Sequence, residues 1–198
     1  MLLMTAANKV TSIRFLLCIL YYVLLTMAAQ KPSETRDVTL LSTIFILNQI
    51  IAWTDFLDGY LARKYKEVTH FGRIADPLVD KILVCGSFIF FLVLDPLPKF
   101  YTAWFAVVVL GREFLVSGIR GAMEAAGIPF PATFWGKAKT AIQNVAVGTG
   151  LGYVAWFPTP RWVELLAISL MWATLVATVM SGVTYVLSAR KFLGSERI

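Results

Sequence analysis

The chain has 198 residues, of which 58% are hydrophobic and only 15% are charged, and its mean hydropathy is +0.72. A soluble domain of this size needs a larger polar surface, so the composition excludes an ordinary soluble protein and favours one membrane domain spanning residues 1–198. The net charge of +6 is not gathered into a continuous basic face, so no nucleic-acid partner is expected.

Apolar segments long enough to cross a bilayer as helices recur along the whole chain. They cover approximately residues 12–29, 38–62, 74–95, 100–122, 136–157 and 163–188. Proline-containing turns separate several of them, as in Asp95-Pro96-Leu97-Pro98 and Pro158-Thr159-Pro160. Backbone polar groups must be satisfied without water inside a membrane, so the segments are predicted to be helical. The sequence therefore predicts an all-α integral membrane protein, built as a bundle of six transmembrane helices.

The distribution of positive charge predicts the orientation of this bundle. Alternate loops divide the 18 Lys and Arg residues unequally, and one side receives only Lys31, Arg36, Lys99 and Arg161. The side rich in Lys and Arg is expected to be cytoplasmic, which places both termini in the cytoplasm. Four aromatic residues near the opposite boundary are predicted to form an interfacial belt: Tyr101, Trp104, Trp156 and Trp162. Cys18 and Cys85 lie in apolar runs and are expected to be buried free thiols.

Two pairs of aspartates lie where the second span ends and the third begins. Asp55 and Asp58 are three residues apart, and Asp76 and Asp80 are four apart, so each pair occupies one face of a helix. The two spans are joined by a short loop, so the pairs can converge. Four carboxylates at a membrane boundary repel one another unless a cation neutralises them, and oxygen ligands suit Mg²⁺ or Mn²⁺.

The residues between the pairs complete a longer pattern, which runs from Asp55 to Asp80 with fixed Asp, Gly, Ala and Arg positions. This stretch matches D-x2-D-G-x2-A-R-x8-G-x3-D-x3-D at every fixed position. In this pattern the chain resembles the CDP-alcohol phosphotransferase family. The resemblance implies a nucleotide that approaches the backbone at Gly59 and Ala62, which are small residues on one helix face. It likewise implies a pyrophosphate oxygen for the planar fork of Arg63.

The resemblance implies displacement at phosphorus, in which an alcohol attacks the lipid-side phosphate of a CDP-linked lipid and CMP leaves. It implies one or two Mg²⁺ or Mn²⁺ ions held by Asp55, Asp58, Asp76 and Asp80. Asp76 and Asp80 would be catalytic, with Asp80 acting as a further metal ligand or as general base. It assigns a second set of residues to the CDP-lipid: Asn8, Thr11, Asp58, Gly59, Ala62, Arg63, Thr69 and Gly72.

A second polar cluster accompanies the fourth and fifth spans. It comprises Arg112, Glu113, Arg120, Lys137, Lys139 and Thr140. Arg forks, Lys charges and a helix N-terminus suit a phosphate, so the cluster predicts an anionic acceptor. The competing interpretation is positive-inside anchoring together with an Arg112–Glu113 pair at the surface.

The sequence segments around this cluster resemble the phosphatidylglycerophosphate synthase branch of the family, whose acceptor is sn-glycerol 3-phosphate. They are Arg112–Arg120, Gly136–Gln143 and the opening Asn8-Lys9-Val10-Thr11-Ser12-Ile13-Arg14, which follows Ala7 where that branch has proline. The resemblance implies transfer of phosphatidyl from CDP-diacylglycerol, a homodimer, and a multi-pass protein of the cell inner membrane with a cytoplasmic active site. Another branch, using serine, inositol phosphate or phosphatidylglycerol, is one alternative. A membrane ion or proton transporter is the alternative of another class.

Overall fold

The computed structural model describes residues 6–65, 70–128, 130–131, 133–156 and 160–195, and gives side chains for residues 11–54, 75, 77–128, 130–131, 133–156 and 160–190. This part of the chain contains six α-helices and no strand. The helices are α1 (Ala6–Ala29), α2 (Val38–Tyr65), α3 (His70–Phe90), α4 (Ala103–Ala125), α5 (Phe134–Trp156) and α6 (Arg161–Ser195). Short 3₁₀ turns at Ser33–Thr35 and Leu97–Lys99 follow α1 and precede α4. The all-helical prediction is confirmed, although the third helix ends at Phe90 instead of near residue 95.

Apolar length differs among the helices. The segments Thr11–Ala29 in α1 and Arg161–Arg190 in α6 are long and apolar enough to cross a membrane, each with a mean hydropathy of 1.9. Val38–Thr54 in α2 is a shorter apolar segment. Polar residues interrupt the other helices towards one end, where the site described below is found.

Interhelical packing fixes the bundle. Helix α5 packs along α6 and α2, α1 packs against α2 and α3, and α4 packs against α6. The Tyr21 hydroxyl lies 2.7 Å from Ser87 Oγ, and the Tyr22 hydroxyl donates to the Ile82 carbonyl at 2.6 Å, so two hydrogen bonds join α1 to α3 inside the apolar core. The hydroxyl groups of Tyr21 and Tyr22 are thus satisfied, as an apolar environment requires.

Aromatic rings form the core between α3 and the start of α4. The ring centroids of Phe91 and Tyr101 are 5.0 Å apart, and those of Phe88 and Phe105 are 5.1 Å apart. Tyr101 is only 1% exposed, so its predicted place in the interfacial belt is wrong. The other three predicted belt residues, Trp104, Trp156 and Trp162, are exposed. Tyr101 differs from these tryptophans because its ring packs among three phenylalanine rings in the core.

Glycine allows α5 to approach α3 closely. A Cβ atom at Gly150 would come within 2.6 Å of the Phe91 ring, so only glycine fits there without movement. Cys18 and Cys85 are free and buried, as predicted.

Candidate active site

The aspartate pairs lie on two neighbouring helices. Asp55 and Asp58 are within α2, Asp76 and Asp80 are within α3, and these two helices are in contact. Of the four, only the Asp80 side chain belongs to the described residues, and it faces a large cavity. Other predicted site residues whose side chains lie outside the described part are Asn8, Gly59, Ala62, Arg63, Thr69 and Gly72.

The metal prediction rests on this aspartate set. Among the described side chains, no group of three or more His, Cys, Asp or Glu residues lies together, because three of the four aspartates are outside them. Asp80 supplies one carboxylate to the cavity, and carboxylate oxygens are the donors that hard divalent cations prefer. The residue type and position of Asp80 therefore fit a metal ligand at the cavity wall.

The cavity, which we call the polar cavity, has a volume of about 1350 Å³. It is lined by residues of α3, α4, α5 and α6, by Ala52 of α2 and by the loop between α4 and α5. All six residues predicted to bind the acceptor phosphate line it together with Asp80: Arg112, Glu113, Arg120, Lys137, Lys139 and Thr140. The structure thus brings the cationic cluster and one member of the acidic motif to the same space.

Local sequence explains how the loop between α4 and α5 borders this cavity. Gly127, with φ of +72°, ends α4 in a left-handed conformation, and the Ile128 N–H donates to the Met123 carbonyl at 2.9 Å. This is a Schellman ending, which glycine allows without steric cost. Thr133 Oγ1 then accepts a hydrogen bond of 3.1 Å from the Gly136 N–H, which caps the start of α5. The two helix ends position Lys137 and Lys139 opposite α4.

Buried charges form the floor of the cluster. Glu113 Oε1 accepts a hydrogen bond from the Lys139 ammonium and another, of 3.1 Å, from Arg112 Nη1. Glu113 is 6% exposed and Lys139 is 5% exposed. The interpretation of Arg112 and Glu113 as a surface pair is therefore wrong, because both side chains are enclosed. The Arg112–Glu113–Lys139 group, called the buried triad below, carries a formal charge of about +1 with all three residues ionised.

Helix α6 holds Arg112 from the other side. Arg112 Nη2 donates to Ser181 Oγ, and the guanidinium carbon lies 5.5 Å from the centre of the Tyr185 ring. The Tyr185 hydroxyl accepts from the Thr133 N–H at 3.4 Å, which links the start of α5 to the same wall. Sequence reasoning missed Ser181 and Tyr185. The available signal was two hydroxyl residues four positions apart in an apolar span, which places them on one helix face.

The remaining cations lie nearer the opening. Arg120 and Lys137 line the polar cavity and are exposed. Lys81 donates to Ser117 Oγ at 2.5 Å, and Ser117 in turn donates to the Glu113 carbonyl at 2.6 Å. Thr140 donates its hydroxyl to the Gly136 carbonyl at 3.2 Å. The cluster therefore has a fixed, buried part and an exposed part that is open to an incoming anion.

Helix α1 contributes buried polar residues. Thr11, one of the residues predicted to contact the CDP-lipid, is 4% exposed, and Arg14 is 1% exposed. Both Arg14 and Asp80 lie within electrostatic reach of Cys18. Arg14 was counted as a topological charge, but its burial inside the bundle is typical of a functional charge in a membrane protein.

Comparison with known proteins shows the family to which the chain is similar. The family profile described as CDP-alcohol phosphatidyltransferase matches residues 4–184. A Bacillus subtilis (strain 168) protein named CDP-diacylglycerol–glycerol-3-phosphate 3-phosphatidyltransferase is 37% identical over 144 residues, covering 71% of this chain and 69% of its own length. Proteins of the same name from Haemophilus influenzae and Rickettsia felis are 33% and 31% identical, over 139 and 157 residues. These alignments cover 69% and 75% of this chain and 71% and 78% of the relatives.

Proposed function

The chain belongs to the CDP-alcohol phosphatidyltransferase family, and we propose that it transfers the phosphatidyl group of CDP-diacylglycerol to sn-glycerol 3-phosphate. The products are phosphatidylglycerophosphate and CMP, and the reaction is a step of phospholipid biosynthesis. One observation carries the proposal: Asp80 of the acidic motif and the cationic cluster line the same cavity. An anionic acceptor is thereby held beside the place where the motif would hold the nucleotide.

The reaction joins an acceptor hydroxyl oxygen to the lipid-side phosphorus while the bond between that phosphorus and the CMP oxygen breaks. Asp55, Asp58, Asp76 and Asp80 would hold Mg²⁺ or Mn²⁺, which supplies charge neutralisation at the pyrophosphate when bound. The Asp80 carboxylate faces the cavity and can receive the hydroxyl proton if it is not a metal ligand. The site is thus organised for in-line displacement without a covalent enzyme intermediate.

The acceptor phosphate is bound by the cations of the cluster. Arg120 and Lys137 are exposed and can meet it first, while Arg112 and Lys139 present fixed charges at the floor. Glu113 was predicted among the phosphate residues, but a carboxylate repels a phosphate, and its bonds go to Lys139 and Arg112. We assign Glu113 to positioning these two cations.

The proposed function includes an arrangement of the protein in the membrane. All six helices cross the bilayer of the cell inner membrane, both termini are cytoplasmic, and the polar cavity opens at the cytoplasmic face. Two apolar helices of membrane length and the excess of Lys and Arg at one end support this arrangement. Residues 1–198 form one domain, and the enzyme is a homodimer.

The decisive experiment is CMP release by the purified protein in lipid vesicles containing CDP-diacylglycerol. We expect turnover with sn-glycerol 3-phosphate in Mg²⁺ or Mn²⁺, none after chelation with EDTA, and little with serine, inositol phosphate or phosphatidylglycerol. Turnover with one of those alcohols instead would assign another branch. Cation flux across the vesicles without CMP release would assign a transporter and overturn the proposal.

A variant pair tests the acceptor assignment. Arg120→Ala should raise the KM for glycerol 3-phosphate by about tenfold or more, because a charged hydrogen bond contributes about 1.5–3 kcal/mol. Val107→Ala, on the lipid-facing side of the same helix at 67% exposure, is the matched control and should leave that KM unchanged. A larger rise in the KM for CDP-diacylglycerol than for the acceptor would place Arg120 at the donor.

A further inference from the structure

Lys81 is a cation of the polar cavity that lies outside both predicted clusters. It follows Asp80 directly on α3, and both residues line the cavity together with Pro77. Positions 77, 80 and 81 share one face of a helix, so the turn that presents Asp80 to the cavity presents Lys81 as well. Lys81 is half-buried, whereas Arg120 and Lys137 are exposed.

A chain of two hydrogen bonds fixes the Lys81 ammonium. The Ser117 hydroxyl donates to the Glu113 carbonyl at 2.6 Å, which uses its hydrogen and leaves an oxygen lone pair. The Lys81 ammonium donates to that oxygen at 2.5 Å. An ammonium has three N–H donors, and among the described residues only Ser117 accepts from this one. Two donors therefore remain for a ligand in the cavity.

The charge of Lys81 has no acidic counterpart in the described part of the chain. The Glu113 carboxylate is shared by Arg112 and Lys139, and no described carboxylate lies within ion-pair distance of Lys81. A partly enclosed cation whose hydrogen-bond partner is neutral favours an anion beside it. The counter-charge is therefore expected from a substrate.

Lys81 lies between the acidic motif and the buried triad. The thiol of Cys85, one turn further along α3, is within electrostatic reach of Asp80 and Lys81. The same thiol is within electrostatic reach of Glu113 and Lys139 on the facing helices. The Lys81 ammonium is thus close to the place where the two halves of the site meet.

We propose that Lys81 is a catalytic residue, which donates a hydrogen bond to a non-bridging oxygen of the lipid-side phosphate while that phosphate is transferred. Negative charge on the non-bridging oxygens must be stabilised as the acceptor oxygen bonds to phosphorus and the CMP oxygen departs. Lys81 exchanges no proton in this step, and its ammonium stays charged throughout. This inference rests on the proposed function, because it assigns a residue to the reacting group of the same reaction.

Lys81→Met tests the proposal, because it removes the ammonium and keeps an unbranched side chain. With CDP-diacylglycerol and glycerol 3-phosphate, kcat for CMP release should fall by about ten- to hundredfold, the effect of one charged hydrogen bond. The KM of each substrate should stay within about twofold, because the contact acts in the transition state. Lys31→Met, the same substitution at an exposed lysine in the loop after α1, is the matched control and should retain the wild-type kcat.

Donors with sulfur in place of one non-bridging oxygen of the lipid-side phosphate give a second measurement. Sulfur is a weak hydrogen-bond acceptor. In the wild-type protein, the diastereomer whose sulfur faces Lys81 should therefore react about tenfold or more slowly than the oxygen donor. In Lys81→Met this slowing should shrink to about twofold, whereas the other diastereomer should be slowed equally in both proteins.

The outcomes separate this proposal from the function on which it rests. Absence of CMP release by the wild-type protein would defeat the proposed function itself. Wild-type turnover together with an unchanged kcat in Lys81→Met would defeat the role of Lys81 alone. A raised KM for glycerol 3-phosphate at unchanged kcat would place Lys81 among the acceptor cations and overturn the proposal. A lower kcat with a lower Tm and unchanged sulfur effects would show a structural role and overturn it as well. If Lys81→Met does not fold, Lys81→Gln provides the comparison.

Discussion

Neutralising Glu113 tests whether the buried triad organises the acceptor site. Glu113→Gln keeps the size of the side chain but removes the charge that Lys139 and Arg112 share. Two enclosed cations would then face each other without the carboxylate that they share, and Asp80 would be left as an acidic group within electrostatic reach of Lys139. Breaking a buried ion pair by removing one partner costs about 3–5 kcal/mol. Because the cavity is open on one side, we expect the free energy of unfolding to fall by about 3 kcal/mol.

Thermal unfolding of the detergent-solubilised protein measures this loss. For a chain of this size, about 3 kcal/mol corresponds to a fall in Tm of about 6–12 °C. Glu124→Gln is the matched control, because Glu124 lies on the same helix and cavity but is exposed. Surface carboxylates contribute about 0–1 kcal/mol, so its Tm should change by about 4 °C or less.

A double variant separates stability from function. In Glu113→Gln/Lys139→Met, both partners of the strongest pair are removed, so most of the lost Tm should return. The KM for glycerol 3-phosphate should nevertheless remain raised, because a phosphate ligand is gone. Lys139→Ala alone should likewise raise the acceptor KM more than the donor KM. A Glu113→Gln protein with wild-type Tm and wild-type acceptor KM would refute the triad as the organising element.

Two further predictions concern the acidic motif and the packing of α5. Asp58→Asn or Asp76→Asn should abolish metal-dependent CMP release while the protein still inserts and melts cooperatively; unchanged turnover in either variant would remove the carboxylates from the reaction. Gly150→Ala should destabilise the protein by about 1–3 kcal/mol, because its methyl group would overlap the Phe91 ring. Gly152→Ala, whose methyl group would meet only ordinary contacts at 3.7 Å, should match or exceed the wild-type Tm; equal effects of the two substitutions would show that this packing difference is unimportant.

The helical segments were readable from the sequence because apolar length and turn residues are local properties. Each predicted segment corresponds to a helix in the described part of the chain, with ends displaced by a few residues. The spacing of Asp55, Asp58, Asp76 and Asp80 is equally local, since helix geometry alone puts each pair on one face. These patterns sufficed to predict the family and the cationic cluster. The convergence of the four aspartate side chains stays a prediction.

Contacts between helices needed the tertiary structure. The basic sequence segments of α4 and α5 did not reveal that the Glu113 carboxylate accepts hydrogen bonds from Lys139 and Arg112. They also did not reveal that Ser181 and Tyr185 contact Arg112. Periodicity specifies which residues share a face of one helix, but not how far neighbouring helices slide and rotate against each other. That relative placement is set by side-chain packing across the whole bundle, and it decided which charges are buried and which remain open to a substrate.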